Sequence, residues 1–366
     1  MKKLFLFAAV AATILWAGCS NDIENAPDPQ TANGQGQAIE FRAVVDKQTR
    51  ATVRNGNMTS FFLQTGLYET NTESVTTLSD ANFLTVPVYK NGASWTYSPV
   101  RYFPTESNKT LNFYAYSPIK DINMTTDLTL SGLGASFGYT VPVNQSVNNG
   151  AVDLLIAAVI DKTASTTTEG KGGVILNFNH ALSAVTFSGR NQNAQTSTLI
   201  YVIHSIKILE LENVGIFTYP TKTTSSGAIF AEDRWSITNN DDVDYIAGIP
   251  ASGVALDPVG AAGEYVKLLS ANDMMMVLPQ SAGQKIVEVT YSLRDGSGKL
   301  VHDKDKRNLK LPIGFKFQAG TRYDFQFTFA GDSSSETPIS FTVNVLSWAD
   351  WDADEVPGTP NPILRE

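Results

Sequence analysis

The chain has 366 residues, a formal net charge of −9 and a single cysteine. The acidic balance leaves no basic stripe to follow a phosphate backbone, which excludes nucleic acid as a partner. One thiol supports neither a disulfide framework nor a thiolate metal cluster, so stability has to come from packing.

Lys2 and Lys3 open the chain, Leu4 to Leu15 is almost purely apolar, and Trp16-Ala17-Gly18 precedes Cys19. This reads as a bacterial lipoprotein signal over residues 1–18 with Cys19 as the lipidated residue, although Trp16 stands where leucine is commonest. The alternative is an ordinary secretory signal followed by a chance cysteine. The apolar run falls short of the roughly 20 residues a spanning helix needs. Its removal leaves about 350 residues, enough for two domains.

Asn21 to Gln37 is too polar to bury a core and reads as a tether. In the next stretch Ile39, Phe41, Ala43 and Val45 fall on one face of a half-buried strand, and polar Asp46 to Ala51 separates it from the body. Short strand signals follow at Phe61 to Tyr68, Phe83 to Tyr89, Trp95 to Tyr97, Leu111 to Tyr116 and Phe137 to Val143, with Asn91-Gly92 as a hairpin turn. Ala151 to Ile160 is a continuous apolar run, read as a strand rather than a short helix. A polar loop then leads to Val174 to Phe178 and Ala181 to Phe187.

Gly189 to Asn193 reads as an inter-domain linker, after which strand signals resume at Tyr201 to Leu211, Val214 to Tyr219, Tyr265 to Leu269, Met274 to Leu278 and Ile286 to Leu293. The cleanest alternation lies in Tyr323 to Phe329 and Ile339 to Val345, two expected antiparallel strands. Many short strands without intervening helices predict an all-β protein of two tandem antiparallel sandwiches. Residues 19–50 read as a tether and a strand set apart by polar residues, 51–189 as the first domain, and 190–366 as the second with an acidic tail.

Candidate chemical sites are weak. Gly134-Ala135-Ser136-Phe137-Gly138 spells a nucleophile elbow, but a strand follows where a helix is required, so its glycines read as a turn. His180, His204 and His302 are widely spaced and read as structural. Asp350, Asp352 and Asp354 begin a calcium loop, yet Glu355 replaces the turn glycine and Asn361 the bidentate glutamate. Glu169 to Gly173 lacks phosphate-loop spacing. Trp95, Tyr97, Tyr102, Tyr114 and Tyr116 either pack between sheets, the preferred reading, or stack on sugars. No metal or other cofactor is expected, and no enzyme.

Trp95-Thr96-Tyr97-Ser98-Pro99, Arg101-Tyr102-Phe103-Pro104, Leu111 to Pro118, Phe178-Asn179-His180-Ala181-Leu182-Ser183 and Ala319-Gly320-Thr321-Arg322-Tyr323, behind a lipoprotein start, together resemble the fimbrillin-like proteins of Bacteroides-type bacteria. The resemblance implies transthyretin-like sandwich domains in a type V pilus subunit, exported as a lipoprotein, trimmed by an arginine-specific protease and polymerised by strand exchange. It carries the trimming site to Arg50, with Ala51 as the new N-terminus and Arg42 and Arg54 as secondary candidates. Ile39, Phe41, Ala43 and Val45 then belong to the strand that trimming removes. Implied partners are other fimbrial subunits, the maturation protease, the outer membrane through lipid, and surface ligands of host or bacterial origin. The incoming strand is left open among Ile339 to Trp348, Ala349 to Glu366 and a freed N-terminal segment. The competing reading is a surface-anchored glycan-binding lipoprotein.

Overall fold

The computed structural model describes residues 36–45, 58–119, 123–132, 134–145, 152–167, 173–220, 234–237, 242–269, 274–331 and 339–346. Apart from one 3-10 turn at Ala164–Thr167, the regular structure among them is strand.

In chain order the strands are β1 (Phe41–Val45), β2 (Ser60–Thr70), β3 (Thr76–Asn91), β4 (Ser94–Thr96), β5 (Lys109–Ser117), β6 (Met124–Ser131), β7 (Gly134–Thr140) and β8 (Asn144–Gln145). Next come β9 (Leu155–Lys162), β10 (Val174–His180), β11 (Ser183–Asn191), β12 (Ile200–Leu211), β13 (Val214–Thr218), β14 (Trp235–Ile237), β15 (Val243–Ala247) and β16 (Val254–Leu256). The last are β17 (Val266–Lys267), β18 (Met275–Val277), β19 (Gln280–Ser281), β20 (Ile286–Arg294), β21 (Leu300–Lys310), β22 (Lys316–Phe317), β23 (Arg322–Phe329) and β24 (Ile339–Leu346).

Seven strands make one sheet in the order β1-β10-β9-β5-β2-β3-β4. A second sheet runs β17-β11-β23-β24, with β18 also on β11, and a third runs β21-β20-β12-β15-β8, with β16 also on β12. β14-β13-β7-β6 form a fourth, and β19 pairs with β22.

The seven-stranded sheet curls until its end strands β1 and β4 touch. Alternation then sorts its side chains. Leu63, Val88, Phe113, Ala157, Leu176 and Phe178 point into the core that the curl encloses. From the opposite face, Tyr114, Tyr116, Ile156 and Ile160 join a larger core shared with β7, β13 and the later sheets. Coverage on both faces explains why β9 reads as an unbroken apolar run. Each buried Val, Ile or Phe contributes about 1.5–3 kcal/mol relative to exposure.

Three features depart from the expected pattern. The sheets are mixed rather than purely antiparallel, because β1 runs parallel to β10, β11 to β23 and β8 to β15. Such partners lie far apart in the chain and leave no hairpin signal between them. Gly134 and Gly138 belong to strand β7, not to a turn, so Ser136 sits in a β-ladder opposite Thr218. β21 carries Asp303, Lys304, Asp305, Lys306 and Arg307, charges that conceal a strand from apolar patterning while guarding a sheet edge against unwanted pairing.

Candidate functional site

β1, at one end of the seven-stranded sheet, is held on two sides by distant parts of the chain. Along one edge it pairs in parallel with β10, Phe41 opposite Val174 through Val45 opposite Phe178, and the Val174 amide donates to the Glu40 carbonyl at 2.7 Å. Across the other edge, the residues just before β1 meet the segment after β4. The Ile39 amide donates to the Arg101 carbonyl at 2.9 Å, the Phe103 amide donates to the Gln37 carbonyl at 2.8 Å, and Ala38 bridges Tyr102 in antiparallel fashion. The Tyr97 hydroxyl donates to the Ile39 carbonyl at 2.8 Å and accepts from the Arg101 amide at 3.3 Å. Burial pushes the Tyr97 phenol above its ordinary value, so it remains a donor at neutral pH.

The four side chains assigned to the removable strand point inward. Ile39 and Val45 are 1% and 2% exposed, Phe41 and Ala43 6% and 8%, while Glu40 and Arg42 face solvent. Phe41 sits edge-on to Tyr97, Phe113 and Phe61 at centroid distances of 5.4, 5.8 and 6.2 Å. Edge-on geometry adds to area burial because the positive ring edge meets a negative face. Two glycines let the backbones close in. A Cβ on Gly173, which has φ +67°, would lie 2.4 Å from the Glu40 carbonyl oxygen, and one on Gly36 would collide with the Phe103 carbonyl oxygen. Lifting β1 out would therefore leave a groove with apolar walls and two unpaired main-chain edges.

Among the trimming candidates, Arg42 lies in the β1–β10 ladder opposite Ile175. Cys19, Arg50, Ala51 and Arg54 lie outside the described residues, as do Asp350, Asp352, Asp354 and most of the run Glu169 to Gly173.

Histidines elsewhere have structural partners. His180 Nδ1 lies 2.6 Å from Asp153 Oδ1, both side chains buried, at the turn joining β10 to β11. His204 Nε2 lies 2.8 Å from Ser292 Oγ, which donates to Asp303 and accepts from the Lys304 amide. A serine, a histidine and an aspartate meet there, but Ser292 is buried and aims its proton at the carboxylate, the wrong wiring for a nucleophile. Its work is to satisfy two bulges, one on β12 at His204 and one on β21. Burial, with Lys304 beside it, pushes the His204 imidazole down. Of the aromatics weighed as a sugar platform, Tyr114 and Tyr116 are buried, Trp95 and Tyr97 pack against the inner core, and Tyr102 is half-buried.

The segment Tyr97 to Phe103 was not legible as part of this site, because its role rests on main-chain hydrogen bonds that leave no side-chain pattern. Gly173 carried only the faint signal of a glycine-rich run.

A profile of the family described as fimbrillin-like matches residues 49–348. Among curated proteins, one provisionally named fimbrium subunit Fim1C of Bacteroides uniformis is 28% identical over 163 residues, 44% of this chain and 48% of the relative. The matched part thus spans about half the length of that relative. Among solved structures, a fimbrial protein from Bacteroides vulgatus superposes with a TM-score of 0.59 at 15% identity, covering 85% of this chain and 99% of its own, which is a likeness of fold.

Proposed function

The chain belongs to the fimbrillin-like family, and from that premise we propose that it is a structural subunit of surface fimbriae that polymerises by strand exchange and supports adhesion. It is exported as a lipoprotein anchored to the outer membrane through Cys19, and an arginine-specific protease cuts between Arg50 and Ala51, releasing β1 with its tether. The observation that carries this reading is β1 with Ile39 just before it, a segment near the start of the described residues whose four inward apolar side chains plug a core built by later strands.

A protease must draw several residues of extended backbone into its cleft, so a site held in a ladder is protected. Arg42 is so held, which favours Arg50. The incoming strand is assigned to β24 of another copy. Its side chains Ile339, Phe341, Val343 and Val345 repeat the order and spacing of Ile39, Phe41, Ala43 and Val45, with one exchange of alanine for valine. Other subunits of the fimbrium, the maturation protease and surface ligands are the partners of this reading. Tandem transthyretin-like sandwiches, 51–189 and 190–366, belong to the same proposal. Support comes from the seven-stranded sheet being drawn only from residues 41–180, while the pairing of β11 with β23 pulls the dividing line toward the turn before Ser183. The glycan-binding alternative gains nothing from aromatics that are spent on packing.

The test treats the mature chain with an arginine-specific protease and follows both the new N-terminus and the size distribution. A product beginning at Ala51 should appear first, and multimers only afterwards. Arg50→Ala should prevent both. Cleaved chain that stays monomeric at high concentration would sink the strand-exchange reading.

A further inference from the structure

We propose that the segment Tyr97 to Phe103 is a strap that reads the direction of whatever strand occupies the groove and admits it only when it runs parallel to β10. This rests on the strand-exchange reading above, with β24 of a second copy as the occupant, and adds the rule by which that occupant is aligned.

Along the strap, the Phe103 amide, the Arg101 carbonyl and the Tyr97 hydroxyl present a donor, an acceptor and a donor. They meet the Gln37 carbonyl, the Ile39 amide and the Ile39 carbonyl. Both main-chain groups of Ile39, a residue with its side chain in the core, therefore face the strap, while the carbonyl of outward-facing Glu40 faces β10.

A strand's direction is coupled to this division. Turning it end for end while keeping the same side chains inward is a half-turn about the sheet normal, and that half-turn also exchanges its two edges. Core-facing residues would then send their amides and carbonyls toward β10. Outward-facing residues would face the strap instead, displaced by about 3.4 Å, one residue along the strand. The strap's three groups would be left poorly paired beside an apolar core, where unmade hydrogen bonds are costly.

Pockets alone give weaker discrimination. An aliphatic residue, a phenylalanine, a small residue and a valine fix the order in which side chains must arrive. They do not fix direction, since a reversed strand of reversed sequence offers the same four. The strap supplies the missing information without reading sequence, because its hydrogen bonds go to main chain only. Tyr97 has a double part, its hydroxyl on the carbonyl of the first core position and its ring against the phenylalanine of the second. Specificity for an aromatic at that second position follows from the Phe61, Tyr97 and Phe113 edges around Phe41.

The experiment uses arginine-protease-trimmed chain and two synthetic peptides, one with the sequence of residues 36–45 and one with those residues in reverse order. The reversed peptide can put its side chains into the same pockets in the same order only with its main chain turned around. Trimmed chain should take up the first and reject the second. Tyr97→Phe, which keeps the ring and loses the hydroxyl, should weaken uptake of the first by about twofold to tenfold. Equal uptake of both peptides, or unchanged affinity in Tyr97→Phe, overturns the strap's role even where trimmed chain still polymerises. Trimmed wild-type chain that takes up neither peptide and stays monomeric removes the strand-exchange reading itself, and the strap with it.

Discussion

Two strands at opposite ends of the described chain spell almost the same inward-facing sequence, yet the fold treats them differently. β1 is short, pairs in parallel and carries its apolar side chains fully inside a curled sheet. β24 is longer and makes a complete antiparallel ladder with β23, Arg322 opposite Leu346 through Phe329 opposite Ile339, but its inward side chains lie at the open rim of a sheet. Val343 is buried, Ile339 and Phe341 are half-buried, and Val345 is 52% exposed. One strand is short, gripped on two sides and enclosed; the other is longer, paired on one side and partly open. A strand that must leave one copy and enter another suits this arrangement, because its apolar face gains burial by moving into a deeper seat.

The sharpest way to break the comparison is to truncate the matching phenylalanines. Phe41→Ala empties a closed aromatic pocket and should cost about 3–5 kcal/mol in the untrimmed chain. Phe341→Ala acts on a half-buried ring that packs on Phe325 and Phe327 at 6.3 and 6.1 Å, and should cost about 1–2 kcal/mol. Urea midpoints of the two variants decide it. Equal losses would mean the two seats are equivalent and that exchange gains nothing from burial.

A smaller effect should separate the strands at the backbone. Gly173→Ala places a methyl against the Glu40 carbonyl in a left-handed conformation that alanine adopts at a cost of about 1–3 kcal/mol. The strain falls where β1 docks. Hydrogen exchange of the amides of residues 41–45 should quicken while β24 keeps its protection, because Gly173 touches only the first. Uniform quickening in both strands would show that β1 has no local seat of its own.

These expectations also show what the sequence could reveal. The inward alternation of β1, the Asn91-Gly92 hairpin and the β23–β24 pair were legible because each is a local pattern of period two or a local turn. Parallel pairing of β1 with β10 and of β11 with β23 was not, since it joins residues more than a hundred positions apart. Gly189 to Asn193 looked like a linker, yet Gly189, Arg190 and Asn191 end β11, and Asn191 is wholly buried. Its side-chain amide donates to the carbonyls of Leu199 and Leu256, so a polar residue lies inside without an unmade bond. The groove followed the same division. Its side-chain half could be read from Ile39, Phe41, Ala43 and Val45, whereas its main-chain half, the strap, could not.

The last and smallest expectation concerns pH and the edge built from β11, β23 and β24. Asp324 of β23 stands opposite Asn344 of β24 on the side away from the core. Burial raises its carboxyl above the usual 3.8, against the lowering effect of hydrogen bonds from Gln326, Thr186 and Ser188 and of the nearby Arg322 charge. The folded chain therefore binds this proton more tightly than the unfolded chain does. Its contribution to stability is complete below the unfolded value and declines as pH rises through the raised folded value. Asp324→Asn removes the titration while keeping one of the two oxygens, which accept separately from Thr186 and Ser188. Thermal midpoints measured from acid to neutral pH should fall less steeply in Asp324→Asn than in the parent, with the difference greatest at neutral pH. The seat of β1 is lined by apolar side chains and by the Tyr97 phenol, which burial holds protonated throughout this range, so the local hydrogen-exchange protection of residues 41–45 should follow the same pH course in both proteins. A change confined to β11, β23 and β24 would mark this edge as the one whose grip weakens toward neutral pH. A shift of equal size in the β1 amides would instead mean that the carboxyl acts on the whole fold and that the two edges are not independent.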